Sequence, residues 1–127
     1  MSHEIIKLKS VHPTMGYSHC AKAGKTLYIA GQVAKDKTGT VIGRGNLRAQ
    51  ARQVYENLQG ILEEAGGGLK NIVKMTTFIT HPAFVEPYRE MRNGFFTDPM
   101  PPNTLVVVTS LADPEFLIEV EAIAVLD

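Results

Sequence analysis

A single apolar stripe in the segment after Asn46 is the feature that most constrains how this chain folds. The apolar residues repeat at intervals of three and four, the spacing of one helix face over about five turns. They are Leu47, Ala51, Val54, Leu58, Ile61 and Leu62. Asn46 is a suitable N-cap, because its short side chain can accept a hydrogen bond from a free amide of the first turn. Glycines at positions 66–68 end the helix, whose apolar face must be buried against another element.

A second, shorter helix is predicted from apolar residues spaced four, three and four along the chain. These residues are Phe84, Tyr88, Met91 and Phe95. Pro87 falls in or near the first turn, where a missing amide hydrogen does little harm. Because this helix also has one apolar stripe, we predict that both helices pack together on one face of a sheet.

Six further segments have the composition and the flanking turns of strands. They are residues 5–9, 18–23, 26–33, 71–80, 104–111 and 116–125. The predicted order is therefore β-β-β-α-β-α-β-β, an α+β fold with a mixed sheet and two helices on one face. The second face of this sheet is left without a cover, so another subunit is expected there if that face is apolar.

Length and charge restrict the classes of function. A chain of 127 residues without an internal repeat or linker suits one domain, residues 1–127. Thirteen basic and thirteen acidic residues give a net charge of zero, which provides no overall field to attract nucleic acid. We therefore expect no nucleic-acid partner. The same balance provides no charge to keep copies of the chain apart, which favours self-assembly.

No metal site and no internal disulfide are expected. Cys20 is the one cysteine, so no cysteine cluster can hold zinc. His19 beside it would point to the opposite face of a strand, so these two neighbours cannot easily share an ion. For His3, His12 and His81, which lack ligand spacing, surface or turn roles are predicted.

The chain shows no targeting or membrane segment. The N-terminus lacks a basic stretch followed by an apolar block, and aliphatic runs such as residues 105–108 are far too short to span a bilayer. We expect a cytoplasmic protein without a membrane partner.

Glu119 and Glu121 are the candidate chemical groups, because they lie two residues apart in the most apolar predicted strand. The period of a strand places both carboxylates on one face. One interpretation is a solvated strand face with ordinary surface acids. The other places one acid in a cleft between subunits, where partial burial raises its pKa and suits it to proton transfer with water.

Three further polar residues have two interpretations each. Asn103 begins a predicted strand, where its amide either caps a turn or binds a ligand carboxylate. Arg89 and Arg92 on the second helix are solvated charges unless a subunit interface passes over them.

Several dispersed segments, in the right order, carry a family resemblance over nearly the whole chain. They are residues 16–18 (GYS), 28–33 (YIAGQV), 49–53 (AQARQ), 57–58 (NL), 73–76 (VKMT), 101–104 (PPNT) and 118–124 (IEVEAIA). On these segments the chain resembles the Rid family, also called the YjgF family, of reactive-intermediate deaminases.

The resemblance implies a chorismate-mutase-like fold that assembles as a homotrimer with clefts between neighbouring subunits. Deaminating members of the family hydrolyse small enamines or imines to a 2-oxo acid and ammonia, without a metal or a cofactor. By position, Glu119 corresponds to the glutamate that handles the attacking water and Tyr17 to the tyrosine that closes the cleft. Gly31 corresponds to the glycine whose backbone lines the pocket.

Asn103 stands where such members have the arginine that holds the substrate carboxylate. An amide cannot supply the charge or the donor fork of a guanidinium. Arg89 is one candidate for the missing cation. The alternatives are a substrate without a small carboxylate, or a cleft that binds without catalysis.

The first functional hypothesis is hydrolytic deamination of a small enamine or imine. Glu119 and Tyr17 would be catalytic, and Asn103, Arg89 and Gly31 would bind substrate. The second is a non-catalytic trimer that binds or senses a small ligand. Ribonuclease activity or inhibition of translation is the third, and the zero net charge argues against it. The sequence does not identify the physiological substrate.

Overall fold

The computed structural model describes residues 2–127. The chain forms a six-stranded mixed sheet with two α-helices. The strands are β1 Glu4–Ile5, β2 Cys20–Ala23, β3 Thr26–Gln32, β4 Ile72–Ile79, β5 Asn103–Val107 and β6 Ile118–Val125. The helices are α1 Leu47–Glu64 and α2 Val85–Asn93. This order confirms the predicted α+β fold.

The strand order in the sheet is β1-β2-β3-β6-β4-β5. Neighbouring strands are antiparallel except for β4 and β5, which are parallel. The last strand, β6, lies in the interior of the sheet, where Val120 pairs with Gln32 on one side and with Thr77 on the other. Residues of β6 are therefore held by hydrogen-bonded neighbours on both sides.

Both helices cover the same side of the sheet, which we call the helix face. Alternate β6 residues, Ile118, Val120, Ala122 and Ala124, are buried there beneath α1. Asn46 caps α1 as predicted, because its Oδ1 accepts a hydrogen bond from the Ala49 amide at 3.1 Å. The apolar stripe of α1 is buried as expected, since one face of this helix supplies about a third of the buried core residues.

The opposite side of the sheet, which carries Glu119, Glu121, Ile123 and Tyr28, is called the open face. Tyr28 pairs with Ile123 across β3 and β6, and its ring is half exposed. A concave region of about 400 Å³ lies over these strands and is lined largely by apolar atoms. The sheet thus leaves apolar surface uncovered on the side without helices. No helix within residues 2–127 combines the length and the apolar character needed to cross a bilayer.

Every strand is shorter than predicted, and β1 and β5 stop furthest from their predicted ends. The strand predicted at residues 5–9 ends at Ile5, since the amides of Lys9 and Ser10 donate to the carboxylate of Glu64 at the end of α1. The strand predicted at 104–111 ends at Val107, at the edge of the sheet. The predicted end of β1 was wrong because a contact distant in sequence determines it.

A buried glutamine joins α1 to the start of β6. Gln50 is fully buried; its Nε2 donates to the carbonyl of Glu115 at 2.8 Å, and its Oε1 accepts from the amide of Leu117 at 2.8 Å. A second donated bond reaches the carbonyl of Gly43. Because β6 begins at Ile118, this side chain fixes where the strand that carries Glu119 enters the sheet.

Candidate functional site

Glu119 occupies the open face of β6, opposite Phe78 of β4. Its neighbours in sequence, Ile118 and Val120, are fully buried on the helix face. Partial burial raises the pKa of the Glu119 carboxyl above its ordinary value, and the negative charge of Glu121 raises it further. This acid therefore holds a proton more readily than an ordinary surface glutamate.

Gly31 lies directly against the side chain of Glu119. A Cβ atom at position 31 would be 2.8 Å from Cδ of Glu119 and 3.0 Å from its Oε2. The pairing of β3 with β6 shifts register between Ile29 and Gln32, so the glycine sits at an irregularity of the sheet. The absence of a side chain at this position lets the carboxylate rest on the strand backbone.

Tyr17 lies on the loop before β2, and its ring is 52% exposed. Partial burial raises the pKa of the Tyr17 hydroxyl, and the charge of Glu119 raises it further. The phenol is thus near enough to respond to the carboxylate. Of the five site residues predicted from sequence, the structure brings together Tyr17, Gly31 and Glu119.

Asn103 lies elsewhere, with its amide on the helix face. Its Oδ1 accepts from the Thr77 hydroxyl at 2.8 Å, and its Nδ2 donates to the Tyr88 hydroxyl at 2.9 Å. Thr77 and Tyr88 are both buried. Within one chain, Asn103 therefore connects β4, β5 and α2, and it is separated by the sheet from Glu119.

Arg89 is on α2, which also covers the helix face. Its Nη1 donates to Oε1 of Glu86 at 3.0 Å, and half of the arginine side chain is exposed. Within one chain, neither Arg89 nor Asn103 is brought to Glu119. Arg92, the other arginine considered on this helix, places its guanidinium 5.6 Å from the centre of the Tyr88 ring.

Sequence reasoning missed a buried polar cluster next to Tyr17, formed by His12, His19 and Gln32. The prediction that His12 lies at the surface was wrong, since only 7% of the residue is exposed. His81 does have a turn role, accepting a hydrogen bond from the Ala83 amide. A signal was present, because Gln32 interrupts an apolar strand and such a residue needs a polar partner when buried.

The arrangement of Glu119, Tyr17 and Gly31 suits proton transfer. A carboxylate with a raised pKa is a better proton acceptor than an ordinary surface glutamate, and a phenol whose pKa responds to that carboxylate can donate a hydrogen bond to a molecule bound between them. The Gly31 backbone supplies a surface that approaches the carboxylate closely. Among residues 2–127, no group of three or more His, Cys, Asp or Glu side chains is placed to hold a metal ion.

Fold and site together define a class: an α+β protein whose mixed sheet carries a carboxylate and a phenol on the face that its helices leave open. A family model described as Endoribonuclease L-PSP matches residues 7–126. The chain therefore belongs to the L-PSP family, which includes the Rid proteins. The family predicted from the sequence is confirmed.

Relatives and solved structures agree with this membership. A RutC family protein of Pyrococcus horikoshii is 36% identical over 125 residues, covering 98% of both chains. The 3-aminoacrylate deaminase RutC of Acinetobacter baylyi is 31% identical over 129 residues, again with 98% of both chains covered. A crystal structure from Yersinia pestis, described as a Rid family protein of unknown function, superposes with a TM-score of 0.92 at 28% identity, covering 98% of this chain and 99% of that one.

Proposed function

We propose that this protein is a hydrolase that deaminates a small enamine or imine to a carbonyl compound and ammonia. The observation that carries the proposal is the carboxyl of Glu119, which rests on Gly31, has a raised pKa and in turn raises the pKa of the Tyr17 hydroxyl. Similarity to a relative named 3-aminoacrylate deaminase supports the enamine class of substrate. We propose Glu119 and Tyr17 as the catalytic residues.

In the proposed reaction, an enamine first becomes an imine when its carbon gains a proton and its nitrogen loses one. Glu119 then removes a proton from a water molecule, and the oxygen of that water attacks the carbon of the C=N bond. Glu119 returns this proton to the nitrogen, which becomes the amino group of a carbinolamine. The proton of the carbinolamine hydroxyl is then transferred to the amino group, the C–N bond breaks, and ammonia leaves as the C=O bond forms. Positioning the water and moving protons are sufficient, because imines hydrolyse readily.

Substrate binding is assigned to Gly31, Asn103 and Arg89. The last two lie across the sheet from Glu119 in the same chain, so we propose that a neighbouring copy in a homotrimer supplies them. Arg89 would provide the cation for a substrate carboxylate. Its exposed pairing with Glu86 is a weak obstacle, since such surface pairs contribute about 0 to 1 kcal/mol.

The test is a coupled assay in which 2-iminobutanoate, 2-iminopropanoate or 3-aminoacrylate is generated in situ and ammonia release is followed. Glu119→Gln is expected to lower kcat/KM by about 10²- to 10⁴-fold, because it removes the base. Glu63→Gln, an exposed glutamate at the end of α1, is the matched control and should leave the rate unchanged. Wild-type protein with no rate above background, and no effect of Glu119→Gln, would reject the proposal for these substrates.

The source of the substrate-binding charge is tested separately. Arg89→Ala should raise KM for an imino acid while leaving the assembly intact, because it removes the cation. An unchanged KM would exclude Arg89. Asn103→Arg should raise activity on small 2-imino acids if a cation at that position is all that is missing.

Non-catalytic binding is the alternative, supported by the exposed and partly apolar character of the open face. Binding of a small carboxylate in calorimetry without turnover of any imine would favour it. The family model is described as an endoribonuclease, yet the zero net charge of this chain gives little support to an RNA substrate.

A further inference from the structure

The loop that carries Tyr17 is closed at its base by a side chain. His19 follows the loop and His12 precedes it, and Nε2 of His19 lies 2.7 Å from the carbonyl oxygen of His12. Because a carbonyl can only accept, Nε2 carries the hydrogen of this bond. The imidazole therefore joins the two ends of the segment from residue 13 to residue 18.

The other nitrogen of the same ring bonds to the strand beneath the site. Nε2 of Gln32 donates to Nδ1 of His19 at 3.0 Å and to the carbonyl of Ala30 at 3.1 Å. The amide of Ala30 in turn donates to the carbonyl of His19 at 2.8 Å. Gly31 lies between the two strand residues of this network, so the imidazole connects the Tyr17 loop to the backbone on which Glu119 rests.

These partners fix one protonation state of His19. A proton on Nδ1 of His19 would face the N–H of Gln32, so two donors would meet. Rotating the Gln32 amide by 180° would instead place its oxygen against the carbonyl oxygen of Ala30, so two acceptors would meet. The hydrogen bonds are therefore satisfied when Nδ1 carries no proton. Burial lowers the pKa of His19, and the neighbouring His12 ring lowers it further, although the bond to the His12 carbonyl acts in the other direction. The Tyr17 ring also faces His19, with ring centres 6.1 Å apart in an edge contact.

We propose that His19 is a positioning residue for the deaminase site: its neutral imidazole ties the loop of Tyr17 to the β3 backbone, and so holds the Tyr17 hydroxyl near Glu119. This inference rests on the proposed function, because it assigns Tyr17 a part in the reaction. His19 acts through Tyr17 and has no assigned contact with substrate.

Two substitutions distinguish the hydrogen bond that His19 makes to the His12 carbonyl from the one that it accepts from Gln32. In His19→Gln the side-chain amide can still donate from the position of Nε2, so the bond to His12 is kept. In His19→Asn the amide oxygen replaces Nδ1, and the bond to His12 is lost. His3→Asn changes an exposed histidine and serves as the control.

The experiment measures kcat and KM for each variant, alone and combined with Tyr17→Phe. His19→Asn should lower kcat about 10- to 100-fold with a smaller change in KM, because small displacements of a catalytic group are costly. His19→Gln should stay within about threefold of the wild-type kcat, because it keeps the bond to His12. Loss of one such hydrogen bond corresponds to roughly a tenfold effect. In the Tyr17→Phe background, His19→Asn should add less than about twofold, since both changes remove the same positioned hydroxyl.

A second measurement does not depend on turnover. Hydrogen exchange of the Ala30 amide, which donates to the carbonyl of His19, should be about tenfold faster in His19→Asn than in wild type, the effect of one lost hydrogen bond. It should be nearly unchanged in His19→Gln and His3→Asn.

The outcomes distinguish the inference from the proposed function. An active wild type in which the effects of His19→Asn and Tyr17→Phe simply multiply, or in which His19→Gln loses as much kcat as His19→Asn, overturns the role of His19. An inactive wild type rejects the deaminase function instead. In that case equal exchange rates in both His19 variants would also overturn the link between His19 and the Tyr17 loop, and faster exchange in His19→Asn alone would support it.

Discussion

At the scale of single residues, two effects raise the pKa of the Glu119 carboxyl. Desolvation raises the pKa of its carboxyl, and the like charge of Glu121, two residues along the same face of β6, raises it further. Gly31 allows this side chain to lie on the strand backbone. A base with these neighbours exchanges protons at a higher pH than an exposed glutamate.

The neighbouring charge can be removed without touching the base. Glu121→Gln takes away a like charge and should lower the pKa of Glu119. The reaction needs the deprotonated base, so the acid side of the profile of kcat/KM against pH should move to lower pH. Glu63→Gln should leave the profile in place, and a profile that does not move in Glu121→Gln would show that Glu119 does not control it.

Strand periodicity and a family resemblance led to Glu119, Tyr17 and Gly31 as candidate site residues, because both rest on local spacing. The sequence did not reveal the bonds of His19 or Asn103. These bonds join residues 13 and 15 positions apart, His19 to Gln32 and Asn103 to Tyr88, and they exist only once the sheet has formed. The role of buried polar groups therefore depends on pairing that no local pattern contains.

At the scale of elements, β6 depends on α1 for the place where it enters the sheet. Gln50 bonds the Leu117 amide and the Glu115 carbonyl, just before the strand begins. The predictions were most accurate for α1, whose cap and stripe are both local signals. They were least accurate for the ends of the two edge strands, β1 and β5, and the backbone after β1 is held by the distant Glu64 carboxylate.

Loss of the Gln50 amide should destabilise the fold. Gln50→Leu leaves the Leu117 amide and the Glu115 carbonyl without a partner, so the free energy of unfolding should fall by about 2 to 4 kcal/mol. Urea denaturation followed by circular dichroism measures the change. Gln59→Leu, on the exposed side of the same helix, should change stability by less than about 0.5 kcal/mol. Equal stabilities of the two variants would contradict this account of α1 and β6.

At the scale of the whole molecule, the helices cover one face of the sheet and leave apolar groups on the other. Tyr28 and Ile123 pair there, and both line the concave region of the open face. The sequence indicated that another subunit would cover the second face of the sheet if that face is apolar. The zero net charge of the chain favours association of its copies. The register of any subunit contact was beyond prediction, because it depends on the shape of the complete sheet.

Assembly through the open face is tested with one charge. Tyr28→Asp would place a carboxylate in an apolar interface, which costs several kcal/mol, so the proposed trimer should dissociate to monomers. Sedimentation velocity measures the mass, and the imine assay should show that activity is lost although Glu119 is unchanged. Gln59→Asp, on the outer side of α1, should remain trimeric. A Tyr28→Asp protein with the wild-type mass would exclude this face as the interface.

The separation of Glu119 from Arg89 by the sheet has a genetic consequence under the proposed assembly. A chain with Glu119→Gln still carries an intact α2, and a chain with Arg89→Ala still carries an intact carboxylate. When the two impaired chains are produced together, some clefts of the mixed trimers are built from the undamaged half of each. Inactivating alleles would then fall into two complementing groups, one for each side of the sheet.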